Sequence, residues 1–167
     1  MNKTSENLKN AFAGESQANR RYLAFALKAD EEGHPQIAKL FRAAAEAETV
    51  HAMNHVRTMG EVKGTNENLI TAVNGETFEF KQMYPDYIKV AKDEKNAQAV
   101  WSFNVANHVE QIHANLFKKA VDTLKTGKEP TRAEYYVCSV CGSTVENEPP
   151  EKCPICASPR TKFFKVT

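Results

Sequence analysis

A mainly α fold is predicted, a four-helix bundle followed by a small four-cysteine metal domain with short β-strands. Three observations predict it. Four stretches with helical spacing of apolar residues fill the chain as far as Lys125. All four cysteines lie between Cys138 and Cys156. An internal repeat at offsets of 61 and 62 residues divides the helical part into two equivalent halves.

The first helical stretch covers 4–32, with Thr4 or Ser5 as its N-cap and Gly33 as its stop. Pro35 opens the second, which runs to about Gly60. After the polar loop Gly64-Thr65-Asn66, the third runs from about Asn68 to Asn96, with Pro85 as a kink or break. The fourth runs from about Ala97 to Lys125 and stops at Gly127. A linker over about 126–134 includes Lys128-Glu129-Pro130-Thr131. From Tyr135 on, aromatic residues, Val, Gly and Pro alternate in short runs, the texture of short strands and turns. The expected domains are therefore a helical bundle over 1–128 and a four-cysteine domain over 129–167.

Composition narrows the function. The 167 residues are 41% hydrophobic and 26% charged, the balance of a globular protein. Lys+Arg is 22 and Asp+Glu is 21, so no basic excess speaks for nucleic acid. No apolar run approaches the roughly 18 residues of a membrane span. The N-terminus, Met1-Asn2-Lys3-Thr4-Ser5, is polar and lacks the apolar core of a signal peptide, so the expected location is the cytoplasm.

The core-facing stripes carry the chemistry. They read Leu8, Phe12, Glu15, Tyr22 on the first helix and Ile37, Phe41, Ala44, Glu48, His51, His55 on the second. On the third they read Leu69, Val73, Glu76, Glu79 or Phe80, Met83, and on the fourth Phe103, Ala106, Glu110, His113, Phe117. Each stripe places carboxylates where Leu belongs. A buried carboxylate costs several kcal/mol unless paired or metal-bound. No Lys or Arg shares those stripes at the same level, so the compensating cation must come from outside the chain. His55 is a core or supporting histidine. His34 and His108 fall off the site, and Trp101 and Phe103 are packing residues.

The repeat is in phase with these carboxylates. Gly14-Glu15-Ser16 recurs as Gly75-Glu76-Thr77 at an offset of 61. Tyr22 recurs as Tyr84, and Glu48-Thr49-Val50-His51-Ala52 as Glu110-Gln111-Ile112-His113-Ala114, at an offset of 62. Each half thus has one Glu helix and one Glu-x-x-His helix, and residues three apart share a helical face. This is the constellation of ferritin-like dimetal carboxylate bundles. Mixed carboxylate and imidazole donors suit iron or manganese.

Glu79 breaks the repeat, since its counterpart is Ala18. Charge counting suggests its use. Glu15, Glu48, Glu76 and Glu110 balance two divalent ions, and oxidation of both adds two positive charges that a fifth carboxylate offsets. One iron is therefore expected to exchange His51 for Glu79 between the reduced and oxidised states.

Cys138, Cys141, Cys153 and Cys156 form two Cys-x2-Cys pairs eleven residues apart. In a chain without other cysteines this spacing reads as one tetrahedral four-thiolate site for iron or zinc, not as disulfides.

The chain resembles the rubrerythrins over essentially its whole length. The matching segments are Ala11-Phe12-Ala13-Gly14-Glu15-Ser16, Glu48-Thr49-Val50-His51, Gly75-Glu76-Thr77-Phe78-Glu79, Met83-Tyr84-Pro85 and Glu110-Gln111-Ile112-His113. The tail resembles the rubredoxin-like domain of that family. The resemblance implies a ferritin-like diiron site held by Glu15, Glu48, His51, Glu76, Glu79, Glu110 and His113. It makes Glu48 and Glu110 the bridges, and it implies an oxo or hydroxo bridge when oxidised and the same His51/Glu79 exchange. Tyr22 and Tyr84 match tyrosines that donate to ligand carboxylates. The tail then holds one iron, with zinc as the alternative. The residue after the last cysteine is usually Gly in the family and is Ala157 here.

By the same resemblance the expected function is a non-haem diiron peroxidase in oxidative-stress defence. It would reduce hydrogen peroxide to water with electrons relayed from the tail iron. The expected partners are peroxide, an external donor such as a rubredoxin or an NADH-dependent reductase, and a second copy of the chain in a homodimer or larger assembly. No Gly-rich dinucleotide fingerprint is present, so NADH would act through another protein. The alternatives are a ferroxidase that handles iron, or an O2 reductase with a structural zinc tail.

Overall fold

The computed structural model describes residues 2–167. The chain divides into two units, one running to Lys63 and the other spanning Gly64–Thr167.

The first unit is a helical hairpin. Helix α1 (Lys3–Glu31) and helix α2 (Pro35–Thr58) are joined by a three-residue turn, Glu32–His34. The N-cap is Asn2, not Thr4 or Ser5: its side chain accepts from the Ser5 backbone N–H at 2.9 Å. Asn caps at least as well as Ser or Thr, so the helix starts at the earliest residue able to satisfy its free N–H groups. The buried seam is almost all alanine, with Ala26, Ala29 and Ala38 packed under Phe41 and with Ala45 and Ala52 further along α2. Small residues let the helices approach closely. Asn19 fastens them, donating from Nδ2 to the Ala45 carbonyl at 2.7 Å and to Thr49 Oγ1 at 2.9 Å.

The second unit begins with α3 (Thr65–Phe78), passes through a π-helical turn (Glu79–Met83) and continues as α4 (Tyr84–Asp93) before α5 (Ala97–Leu124). The third predicted helix is thus interrupted before Pro85, which occupies the first turn of α4. The interruption explains an irregularity of the repeat. Between Glu76 and Tyr84 the second half has one residue more than the first half has between Glu15 and Tyr22. A π turn absorbs one extra residue without breaking the helix. It starts at Glu79, the carboxylate without a counterpart.

Three short strands follow: β1 (Tyr135–Cys138), β2 (Thr144–Glu146) and β3 (Phe163–Lys165), in the antiparallel order β2-β1-β3. Val137 stands opposite Thr144 on β2 and Phe164 on β3. This small sheet docks on α5 of its own unit. Lys119 on α5 reaches both carboxylate oxygens of Glu146 at 2.7 and 3.0 Å, and a Cβ on Gly142 would stand 3.8 Å from Val109 Cγ1.

Each Cys-x2-Cys pair closes with the same hydrogen bond, Gly142 N–H to the Cys138 carbonyl at 2.8 Å and Ala157 N–H to the Cys153 carbonyl at 2.9 Å. Both residues have left-handed backbone, φ 82° at Gly142 and 59° at Ala157. The second knuckle is therefore not reshaped by Ala157; it keeps the glycine conformation and bears the strain, about 1–2 kcal/mol for a residue with a Cβ. Greater freedom of the unfolded glycine offsets part of this. Ala157→Gly is expected to stabilise the protein by about 0.5–1 kcal/mol, read as a higher urea midpoint; an unchanged or lower midpoint would count against strain at this knuckle. Among the described residues, no helix is long and apolar enough to cross a membrane.

Candidate metal centres

Three clusters of metal-ligating side chains are assembled among the described residues: Glu15, Glu48 and His51; Glu76, Glu110 and His113; and the four cysteines. Within each, the ligand atoms lie within 4.8 Å of one another. The first belongs to the α1–α2 hairpin. His51 Nδ1 lies 3.0 Å from Glu48 Oε2, because residues three apart project from one face of α2. The His51 side chain is 53% exposed and that of Glu48 17%, so the set opens toward the histidine.

The second cluster belongs to α3 and α5. His113 Nδ1 lies 2.8 Å from Glu110 Oε2 and 3.9 Å from Glu76 Oε1. The set is charge-frustrated without a cation. Burial, reinforced by Glu110, pushes the Glu76 carboxyl up to about 7. Its neighbour Glu110 is held low by hydrogen bonding to His113. Glu110 in turn raises the pKa of His113. Glu79 borders this set without being one of its three donors; burial and then the Glu110 charge raise its pKa. A divalent ion among these donors removes the frustration, and the donor chemistry fits iron.

Proton linkage follows. In the absence of metal, Glu76 holds its proton below about pH 7, and His113 holds its proton to a higher pH than an ordinary histidine. A bound ion must displace both. Metal uptake here is expected to release protons and to weaken as pH falls below about 7. Zinc titration calorimetry in buffers of different ionisation enthalpy reads the proton count. An affinity independent of pH between about 6 and 8 would contradict the linkage.

His113 faces two ways. Its Nε2 lies 3.0 Å from Thr144 Oγ1 at the start of β2, and Thr144 Oγ1 donates to the Gly142 carbonyl at 3.1 Å. The single hydroxyl proton goes to that carbonyl, so Thr144 accepts from Nε2–H. Without metal Nδ1–H donates to Glu110 at 2.8 Å, and once an ion displaces that proton the Nδ1 lone pair is free to ligate it. This is the arrangement of a metal-ligating histidine with its outer N–H held by a supporting partner. Thr144 was not among the residues expected from sequence. Nothing local marks it, because its role exists only where β2 meets α5, 31 positions away.

The four thiols surround a common point. Cys138 and Cys156 Sγ are 3.7 Å apart and Cys141 and Cys153 Sγ 3.5 Å, too long for disulfides. A tetrahedron with metal–sulfur bonds of about 2.3 Å has edges of about 3.8 Å, so one ion fits. Without it the cluster tolerates little charge. Burial raises Cys141, while at Cys156 burial is outweighed by Ser158 and the neighbouring thiols, which bring the thiol down to about 6.

The two tyrosines differ. Tyr84 lies close enough to Glu110, Glu79 and Glu76 that burial first, and then their charges, raise its pKa. Tyr22 packs against the rings of Phe25 and Phe41, at centroid distances of 6.3 and 6.2 Å. Neither makes a hydrogen bond to a ligand carboxylate in this structure. His108 is exposed and His34 stands at the N-cap position of α2 without a side-chain capping bond, both outside the three clusters.

Residues 6–121 match the rubrerythrin family, and residues 136–164 match the rubrerythrin rubredoxin-like domain. The chain belongs to the rubrerythrin family. Rubrerythrin-2 of Clostridium acetobutylicum is 38% identical, over 96% of this chain and 95% of that protein. Nigerythrin of Nitratidesulfovibrio vulgaris is 37% identical, over 96% of this chain and 85% of that one. Solved structures of nigerythrin in mixed-valent and fully reduced, all-ferrous states superpose with a TM-score of 0.58, covering 99% of this chain and 88% of theirs, at 36% and 35% identity. The fold is ferritin-like with a small rubredoxin-like sheet. The Glu/His clusters are of the rubrerythrin diiron type, and the four cysteines are the rubredoxin-like site. As a rubrerythrin, the protein is an oxidoreductase.

Proposed function

We propose that this rubrerythrin is a peroxidase that reduces hydrogen peroxide to water in oxidative-stress defence in the cytoplasm. Its dinuclear iron site draws on Glu15, Glu48, His51, Glu76, Glu79, Glu110 and His113, and its electrons come from an iron held by Cys138, Cys141, Cys153 and Cys156. The observation that carries the reading is the hydrogen-bonded path between the two kinds of site. It runs from the peptide carbonyl of Gly142, next to Cys141, through Thr144 Oγ1 to His113 Nε2. A structural zinc tail would have no use for such a path.

When bound, the irons would supply the two electrons that, with two protons, convert one peroxide to two waters, and an iron on the four thiolates would return those electrons one at a time. The chain's own contribution is positional. Glu110 holds His113 Nδ1 toward the carboxylates, and Thr144 holds the opposite edge of the ring. Glu79, kept at raised pKa by burial, holds a proton more readily than an exposed carboxyl. Once deprotonated, Glu79 would be the carboxylate that could take the place of His51 at the iron when the site is loaded and oxidised. The external donor is a rubredoxin or an NADH-dependent reductase.

The test is anaerobic stopped-flow mixing of the iron-loaded, reduced protein with stoichiometric peroxide, following the ferric-thiolate colour. Rapid colour that is lost in Glu110→Ala is expected. No colour, or a rate unchanged in Glu110→Ala, would reject the relay and favour a ferroxidase or a structural tail.

A further inference from the structure

We propose that the serine closing each cysteine knuckle, Ser143 and Ser158, donates its hydroxyl proton to the neighbouring thiolate when iron is bound, and that these two bonds raise the reduction potential of the tail iron. The proposal rests on the reading of the four cysteines as an iron site and adds which side chains set its potential.

The tail repeats within itself. Cys138-Ser139-Val140-Cys141-Gly142-Ser143 and Cys153-Pro154-Ile155-Cys156-Ala157-Ser158 each place a serine two positions after the second cysteine. The backbone repeats with the sequence. The Cys138 N–H donates to the Ser143 carbonyl at 2.9 Å, and the Cys153 N–H to the Ser158 carbonyl at 2.8 Å. The residue before each serine is left-handed. The backbone N–H of Ser143 bonds the sulfur of Cys141, and that of Ser158 the sulfur of Cys156. Each serine is thus pinned at both its N–H and its carbonyl, and its Cβ is held beside a ligand sulfur.

The two hydroxyls differ. Ser158 Oγ lies 3.2 Å from Cys156 Sγ, and without metal the thiol donates to the hydroxyl. A cysteine ligates a metal only as the thiolate, so iron displaces that proton. A hydroxyl can donate as well as accept, and the contact then persists with its direction reversed, from Oγ–H to the thiolate. Ser143 is fully buried and its Oγ has no partner. A buried hydroxyl left unpaired is costly. Because the backbone is alike in the two knuckles, one staggered step about χ1 carries Ser143 Oγ toward Cys141 as Ser158 Oγ stands toward Cys156. The thiolate formed on metal binding gives this hydroxyl the acceptor it lacks.

The effect on potential has a definite sign. Four thiolates leave a single negative charge on a ferric site and a double one on a ferrous site. A proton donor aimed at sulfur stabilises the more negative ferrous form more, so each bond raises the potential. The tail iron would then stay reduced against weak oxidants and yield its electron to a strong one, as peroxide chemistry at the dinuclear site requires. Ser143 also adjoins Thr144, the residue that holds His113.

Spectroelectrochemical titration of the iron-loaded protein, following the ferric-thiolate colour, tests this. Ser143→Ala and Ser158→Ala each remove one oxygen and leave the backbone N–H bonds in place. Each is expected to shift the equilibrium about tenfold toward the ferric form, a potential lower by about 59 mV for a one-electron couple. The double variant should shift it about 100-fold, twice that change in potential. Ser158→Thr keeps the hydroxyl and should keep the wild-type potential. Potentials unchanged in both alanine variants would overturn the proposal. A shift in Ser158→Ala alone would overturn the part given to Ser143. A Ser158→Thr variant shifted as far as Ser158→Ala would overturn the hydroxyl bond in favour of packing. A wild type that takes up zinc but develops no ferric-thiolate colour on iron loading would overturn the iron reading itself, and this proposal with it.

Discussion

Glu110→Ala is expected to empty the dinuclear site while leaving the helices intact. Glu110 is bonded to His113 at 2.8 Å, and its ligand atoms lie within 4.8 Å of those of His113 and Glu76. Removing it takes away a ligand and the group that orients the histidine. Loss of a mere supporting partner of a metal ligand costs about 10–100-fold in affinity, and loss of a ligand costs more. At least a ~100-fold fall in iron affinity at this site is expected, with peroxide reduction lost in proportion. Ala is the best helix former, so α5 should persist. Iron analysis and circular dichroism on one sample separate the outcomes. Retained iron pairs would remove Glu110 from the ligand set, and lost helicity would make it a folding residue.

Thr144→Val is expected to slow electron entry while sparing the metals. Valine keeps the shape of threonine but neither accepts from His113 Nε2–H nor donates to the Gly142 carbonyl, the two contacts at 3.0 and 3.1 Å. A supporting group next to a metal ligand is worth about 10–100-fold. We expect about a 10-fold slower rise of ferric-thiolate colour after peroxide, with unchanged iron content. Thr144→Ser, which keeps the hydroxyl, should restore most of the rate. Serine and valine variants with equal rates would show that packing at this contact matters and the hydroxyl path does not.

The two predictions differ in how readily sequence exposes their residues. Glu110 announces itself. A carboxylate on an apolar stripe, three residues before a histidine and duplicated 62 positions earlier, has few explanations other than metal. Thr144 does not. It is one of several small polar residues after a Cys-x2-Cys pair, and it matters because a sheet of three short strands settles against one level of α5. Glu79 lies between these cases. Its asymmetry was visible, and so was the extra residue after Glu76, but the two become one fact only when the π turn is seen to start at Glu79. Ala157 was visible as a departure from the family pattern, and its positive φ shows that the knuckle kept its geometry and accepted the strain.

What the sequence determined by itself is what local periodicity and donor chemistry dictate. Helical spacing set the four helical stretches, the stripes set which side chains share a face, and thiol spacing set the tail site. These depend on residues a few positions apart, whose geometry a helix or a knuckle fixes. The tertiary structure decided what depends on distant chain segments meeting. It set the π turn that rephases α3 into α4, the docking of the sheet on α5, and the two-sided hydrogen bonding of His113. It also gathered one Glu/His cluster in each of the two units. Packing decides those features, and it is not written in the pattern of a single segment.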